Sequence, residues 1–461
     1  MRRREFVLSG LLQASVAFVH ARHPSIENRP LEIAEFEEDV TPPLGCPLLH
    51  GWGTPAKKVL DPLKARGIVL FTAQGPLVLC SMDWIGISNA SHDAFRKALA
   101  DAVGTTPDRV AVHCIHQHNA PGVDASAEKI LVAHGLGNAL CDAAFVEDAT
   151  ARVARAARRS MGKRRPVTHV GCGMGKVEGV ASTRRVLTPD GELRFWRSSA
   201  GGNKQMKNAP DGLIDPNVRL LAFWNGDTPV ASVTYYACHS CAFYGKGGVS
   251  SEIMGLARTA RDVALPGVAH IHFNGAGGDL AVGKYNDNTP ATRPRLAKRL
   301  AEGMKAAWQS QKRTPVTASD VQWRVRSVAL PVKKSLREDK LLQAIGDGGR
   351  PTIDRVRDAR KLAWLRLVEA GRKIDLSCLQ IGPARVLHMP GELFLEYQLA
   401  AQRMRPDAFV CMAAYGDLGT SYICTREAYR QGGYEPGPSR VSPEAEDVLM
   451  SAIAELLKDE P

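Results

Sequence analysis

The stretch "DRVAVHCIHQHNAPG", residues 108–122, holds three of the chain's 13 histidines, His113, His116 and His118. Val110, Val112 and Ile115 are β-branched, Pro107 and Asp108 precede the run, and Asn119, Pro121 and Gly122 follow it as turn residues, which predicts a strand entering a loop. In a strand His116 and His118 share one face, and a same-face pair is what a metal ion needs. Two strand histidines at a turn also serve as ordinary backbone hydrogen bonders, so further ligands have to be found elsewhere in the chain.

Working outward, the neighbouring segments alternate in type. "ARGIVLFTAQGPLVLCSMDWIGIS" (65–88) reads as two apolar strands around a Gln74-Gly75-Pro76 turn. "SHDAFRKALADAVG" (91–104) reads as an amphipathic helix stopped at Gly104, and "FVEDATARVARAARRSM" (145–161) as another. "VRLLAFWNGDTPVASVTYYACHS" (218–240) predicts a hairpin around Asn225-Gly226-Asp227 with His239 at the far end of its second strand. "VAHIHFNGAGGDL" (268–280) runs a strand into a glycine-rich turn, and residues 334–372 are charged and helix-like. "ARVLHMPGELFLEYQLAAQRM" (384–404) reads as a strand, a break and a helix. The expected class is therefore α/β, with layered mixed sheets flanked by helices. No internal repeat stands out. His116, His239 and Glu392 each lie where an apolar strand meets a loop, the place where α/β sheets put their chemistry.

Composition narrows the function classes. With 44% hydrophobic and 23% charged residues in 461, general disorder is excluded. The formal charge of +12 is scattered among acidic residues without a nucleic-acid motif, so no nucleic-acid partner is expected. The densest basic run, "RVARAARRSMGKRR" (152–165), reads first as a solvated helix face followed by a basic loop. Peripheral contact with an anionic membrane surface is its second reading. Residues 1–21 have a basic start, a moderately apolar stretch and small residues near Ala21, which suits an export signal. Arg3-Arg4-Glu5-Phe6-Val7-Leu8 has twin-arginine character. The expected organisation is an export signal at 1–21, a linker at 22–31 and one domain over 32–461, exported to the periplasm or the exterior. The ten cysteines form no compact disulfide framework and read mostly as buried thiols. Cys238 and Cys241 form a C-x-x-C without the second pair that a four-thiolate zinc cage requires.

Four short segments in order resemble the neutral ceramidase family, zinc-dependent amidases that cleave N-acyl-sphingosine. "HQHNAPG" is similar to that family's "HTHSGP", "YYACHS" to its "FAVHPTS", "MPGELF" to its "PGEF" and "SYICTREAY" to its "HYITTYEEY". The resemblance implies the catalytic-domain fold of that family, here without the C-terminal immunoglobulin-like domain, and one zinc ion per chain. The zinc ligands it implies are His116, His239, Glu392 and Tyr422, with His118 as acid/base. Through "VASTRRVL" it implies Arg184, or Arg185 if the register slips, as the arginine on the scissile carbonyl. Two neutral imidazoles and one carboxylate leave zinc at net +1, which brings a bound water toward a pKa of ~7 and supplies hydroxide at neutral pH. Tyr422 could detach and donate to the oxyanion. Asp83 and Asp279 are candidates for orienting the imidazoles, or plain turn carboxylates. One departure stands out: "GGDLAVG" has Ala281 where the family carries the serine of "GDxSP", so an acyl-serine route there is excluded. The expected substrate is a small-molecule or lipid amide, with an ester or lactone hydrolase and an inactive binding protein as the alternatives.

Overall fold

The computed structural model describes residues 30–459. The export segment expected at 1–21 lies outside the described residues, as does the linker apart from its last two positions, of which Leu31 already opens the first strand.

Three sheets form one after another along the chain. The first contains β1 (Leu31–Asp39), β2 (Lys64–Thr72), β3 (Gly75–Met82), β4 (Val110–Cys114) and β5 (Arg165–Val167), in the order β4-β3-β2-β1-β5. The second contains β6 (His169–Lys176), β7 (Asn217–Asn225), β8 (Thr228–Tyr236), β9 (Ala269–Asn274) and β10 (Lys312–Pro315), in the order β9-β8-β7-β6-β10. The third contains β11 (Val321–Val328), β12 (Ile374–Ile381), β13 (Ala384–His388) and β14 (Phe409–Ala413), side by side in that order.

Each sheet follows one plan. Three strands run antiparallel, a helix crosses over, a fourth strand lies parallel to the third, and a second helix returns to the first strand. The helix pairs are α1 (Ala90–Val103) with α2 (Ala143–Ser160), then α3 (Glu252–Ala264) with α4 (Thr292–Ser310). The connection from β11 to β12 carries α5 (Thr352–Glu369), and the third pair is α6 (Leu395–Met404) with α7 (Ala445–Leu456). In every pair the first helix packs on the fourth strand and the second on the first strand. The chain thus repeats a β-β-β-α-β-α unit three times, a regularity that the sequence does not display.

Local chemistry accounts for the units. Each central hairpin closes with two residues, Ala73-Gln74, Gly226-Asp227 and Gly382-Pro383. Gly226 at φ 56 and Gly382 at φ 50 take the left-handed conformation that tight hairpin turns need. The first turn lies one residue before the expected Gln74-Gly75-Pro76. Gly104, at φ 72, ends α1 as expected. Alternation within strands sets the layers: Leu77 and Leu79 face the centre while Val78 and Cys80 face α1 and α2. The inner faces of all three sheets, with Leu79, Phe273 and Leu379 among them, merge into one central core, and each outer face is covered by its own helices. All ten cysteines are unpaired, and nine are buried. Cys241 of the C-x-x-C is pushed up to about 12 by burial, the behaviour of a packing thiol.

Candidate active site and metal centre

The fourth strands end together. The Cys114 N–H donates to Tyr415 O (3.0 Å), the Ala414 N–H to Asn274 O (2.9 Å) and the Asn274 side-chain amide to Ile115 O (3.2 Å), so a ring of hydrogen bonds joins the three units. The segments just beyond it carry the donor groups: His116 follows β4, His239 follows β8, and Glu392 follows β13.

The strand expected to run through His118 stops at Cys114. His116 takes φ 59, so the chain turns, and His116 and His118 face a common point through this turn rather than through strand alternation. Tyr415 (φ 60), whose ring stacks on His116 at 4.4 Å, and Ser421 (φ 57), next to Tyr422, are left-handed as well. Non-glycine residues in this region cost energy, and their concentration around one point marks a site over-determined by its surroundings.

Two imidazoles are oriented by main-chain carbonyls. Nδ1 of His116 lies 2.7 Å from Ile85 O and Nδ1 of His239 lies 2.7 Å from Gly277 O. A carbonyl only accepts, so each Nδ1 carries the proton and each Nε2 presents its lone pair to the site. Glu392 Oε2 lies 3.1 Å from His239 Nε2 and 3.3 Å from His116 Nε2, and the Tyr422 hydroxyl lies 3.4 Å from His239 Nε2. Bonds of ~2.0–2.1 Å in a tetrahedral site put neighbouring donors ~3.3 Å apart, and these separations match that spacing. The donor nitrogens of His116, His118 and His239 also lie within 4.8 Å of one another. The residues present therefore fit a divalent cation, and the group could hold a metal ion. Burial lowers His239 to about 4, keeping the ring neutral.

Glycines let the backbones close around these donors. A Cβ at Gly278 would sit 2.3 Å from Glu392 O, and one at Gly391 (φ +66) would sit 2.3 Å from Thr420 Oγ1.

Arg184 adjoins the donors. Its Nη1–H donates to the Tyr422 hydroxyl at 2.9 Å, its Nε lies 3.3 Å from Glu435 Oε1, and it stacks over Trp196 at 4.6 Å. Burial works against its charge, but Tyr422 and Glu435 outweigh that and raise its pKa further. Arg185 points away, to Glu435 Oε2, Gln431 and Ala428 O. Of the two arginines, Arg184 is the one beside Tyr422. His118 has no hydrogen-bond partner at either ring nitrogen and packs edge-on against Tyr244. Burial and the neighbouring His116 and His239 hold its pKa well below 6.5.

Neither proposed orienting carboxylate touches an imidazole. Asp83 forms a two-pronged ion pair with Arg258, both contacts 2.7 Å, and Asp279 accepts from the Leu395 N–H at the start of α6. Both are the plain structural carboxylates of the alternative reading. Ala281 is buried opposite Ser182 in a two-residue ladder. Tyr415, Glu435 and His50 went unnoticed in the sequence. Tyr415 follows an apolar strand and could have been found by the strand-end rule, whereas Glu435, in a loop, and His50, in the single 3-10 turn Leu49–Gly51, carry no local signal.

No protein-family model and no curated protein matches the sequence. Solved structures do match. The neutral ceramidase from Pseudomonas aeruginosa superposes with a TM-score of 0.69 at 16% identity, covering 93% of this chain and 74% of that one. A ceramidase complexed with C2 superposes with a TM-score of 0.67 at 16% identity, covering 93% and 75%. The chain thus has the neutral-ceramidase-like fold.

Proposed function

We propose that the protein is an exported zinc-dependent amidase that cleaves an N-acylated amine. The observation that supports this best is the convergence of four donors, with Glu392 Oε2 3.1 Å from His239 Nε2 and 3.3 Å from His116 Nε2 and the Tyr422 hydroxyl 3.4 Å from His239 Nε2, and with His118 and Arg184 alongside. In this reading His116, His239, Glu392 and Tyr422 hold one zinc ion. Bound there, zinc supplies a Lewis acid for the acyl carbonyl and acidifies water.

The chain's residues divide the remaining work. His118, unprotonated and with both ring nitrogens free, takes the proton of the attacking water and returns it to the departing nitrogen, so the C–N bond breaks as an amine leaves. Arg184 only donates, so the Tyr422 oxygen accepts from it and the phenol proton stays available for the acyl oxygen as charge develops there. Burial keeps that phenol protonated, against a smaller opposing effect of Arg184. Tyr434, half exposed, packs on Trp196 at 5.0 Å and edge-on against Tyr422 at 5.9 Å, an aromatic surface suited to an acyl chain. Export rests on the signal-like residues 1–21, and no helix of the described residues is long and apolar enough to cross a membrane.

The test is to assay zinc-replete protein against paired N-acyl amines and the corresponding O-acyl esters. Amide turnover lost on chelation and restored by zinc supports the reading. Turnover of esters alone contradicts it, as does activity indifferent to the metal.

A further inference from the structure

Near the candidate metal donors, next to His50, lie two arginines that make no ion pair with a carboxylate. Arg440 is 3% exposed; its Nη1–H donates to Gly419 O at 2.6 Å and its Nε has no partner. Arg360, on α5, is partly exposed, donates from Nη2 to His50 Nε2 at 3.3 Å and also leaves Nε unpartnered. Among the described residues neither has a carboxylate at ion-pair distance. Several other buried arginines are compensated, although Arg261, elsewhere on α3, likewise lacks an ion pair among the described residues. Arg184 and Arg185 pair with Glu435, Arg258 with Asp83 and Arg293 with Glu252. Arg197, which has no carboxylate, is satisfied by the carbonyls of Thr183, Met206, Ala209 and Pro210.

Nearby acids are already engaged. Asp124 accepts from Asn89 Nδ2 and the Ala127 N–H, and Asp417 accepts from Arg372. Burial, then repulsion from Arg360, depresses Arg440 to about 9. A guanidinium buried without a carboxylate partner, as Arg440 is, is costly unless an anion comes to it, and Arg360 lies close enough to repel it. The pair also sits by the reaction centre. Both arginines sense the charge of Glu392, and the Arg440 N–H donates to Thr420 O, two residues before Tyr422. The His50 ring packs against Gly122, where a Cβ would come within 2.0 Å of Nδ1, so the cluster borders the loop that carries His118. Two arginines and the Asp124 carboxylate leave a net charge of about +1, which suits a monoanion.

We propose that Arg360 and Arg440 form an anion subsite for a carboxylate carried by the substrate near its scissile amide, which makes N-acyl amino acids the substrate class. This rests on the amidase reading above. The subsite selects against neutral lipid amides, because such a substrate leaves both guanidinium groups unpaired in the closed complex.

The experiment compares three probes on the zinc-replete full chain: N-lauroylglycine, N-lauroylethanolamine, and the dianionic N-lauroyl aminomethylphosphonate. The glycine conjugate is expected to exceed the ethanolamide in kcat/KM by about 10²-fold, the worth of a charge-assisted hydrogen bond in a dry site. Arg440→Gln and Arg360→Gln should each cut that preference at least ~10-fold, mainly through KM, while the ethanolamide changes less than ~3-fold. Arg360 is partly exposed, so its variant is expected to fold even if Arg440→Gln does not. Equal or better turnover of the ethanolamide, a preference for the phosphonate, or a preference untouched in the Arg360→Gln variant would overturn the proposal. Calorimetric binding to His118→Ala separates this from the amidase reading. If no amide is cleaved but N-lauroylglycine still binds more tightly than the ethanolamide and Arg360→Gln removes the difference, the subsite stands and the amidase reading falls.

Discussion

Glu392 and Tyr422 stand opposite each other in a two-residue parallel ladder, Glu392–Leu393 against Tyr422–Ile423, and both side chains reach Nε2 of His239. The ladder sets a carboxylate and a phenol on one side of two short backbone segments, so their separation depends on main-chain hydrogen bonds rather than on flexible side chains.

The first prediction concerns metal retention. Glu392→Gln keeps the shape of the side chain but removes the charge that balances zinc, and His116→Ala and His239→Ala each remove a donor. All three variants should purify with less than about a tenth of the wild-type zinc. Each should also lose the rise in melting temperature that zinc produces in the wild type. Elemental analysis beside thermal unfolding reads both. Full zinc content in two of the three variants would show that the donors lie elsewhere.

Much of this was legible from residues alone, for a physical reason. Apolar strand runs, two-residue turns such as Gly226-Asp227 and the Gly104 helix stop are local signals, and the structure repeats them. His116, His239 and Glu392 are read from strand ends and Tyr422 from the family resemblance, and the fold brings the four side chains together. The threefold repetition was invisible because it lies in topology: each unit meets its own helices with different side chains, Phe95 and Leu99 in α1 against Ile253 and Met254 in α3. The strand expected through His118 failed because the left-handed turn at His116 has no compositional signature. Orientation of the imidazoles by Ile85 O and Gly277 O could not be read either, since every residue carries a carbonyl.

The hydrogen bond from Arg184 to Tyr422 supports a second prediction. Tyr422→Phe removes the hydroxyl proposed to face the acyl oxygen, and kcat should fall about 10²–10³-fold with a smaller change in KM, as for loss of an oxyanion donor. Arg184→Lys should not restore full activity, because one ammonium cannot reach both the Tyr422 hydroxyl and Glu435 Oε1. A steady-state comparison of both variants checks this. Wild-type kcat in Arg184→Lys would reduce the arginine to a point charge.

Glu252 yields a prediction in pH. Its carboxyl accepts from Asn119 Nδ2 at 2.5 Å and the Ala242 N–H at 3.2 Å, and burial raises its pKa from 4.5 to about 7. The folded state thus holds the proton more tightly than the unfolded chain. The contribution is fully present below pH 4.5 and is lost as pH rises through about 7. Over that interval the loss is about 3 kcal/mol. Denaturant unfolding of wild type and Glu252→Gln between pH 4.5 and 8 should show the stability difference shifting by about this much in favour of the variant as pH rises. A difference independent of pH would mean that Glu252 does not titrate in this range.

The two histidines of the His-X-His pair are predicted to fail differently when removed. His116 Nε2 lies 3.3 Å from Glu392 Oε2, inside the donor cluster, whereas both ring nitrogens of His118 are without partners. His118→Ala should therefore retain zinc yet lose turnover by about 10²–10⁴-fold, the usual worth of a positioned acid/base. It should also flatten the acidic limb of the pH–rate profile if that limb reports this ring. His116→Ala should lose zinc and activity together. The rival arrangement is the three-histidine set of His116, His118 and His239, whose donor nitrogens lie within 4.8 Å of one another. That arrangement predicts that His118→Ala empties the site while Glu392→Gln keeps its zinc. Zinc content measured beside rate in the three variants decides between the two ligand sets, because no single pattern of loss satisfies both.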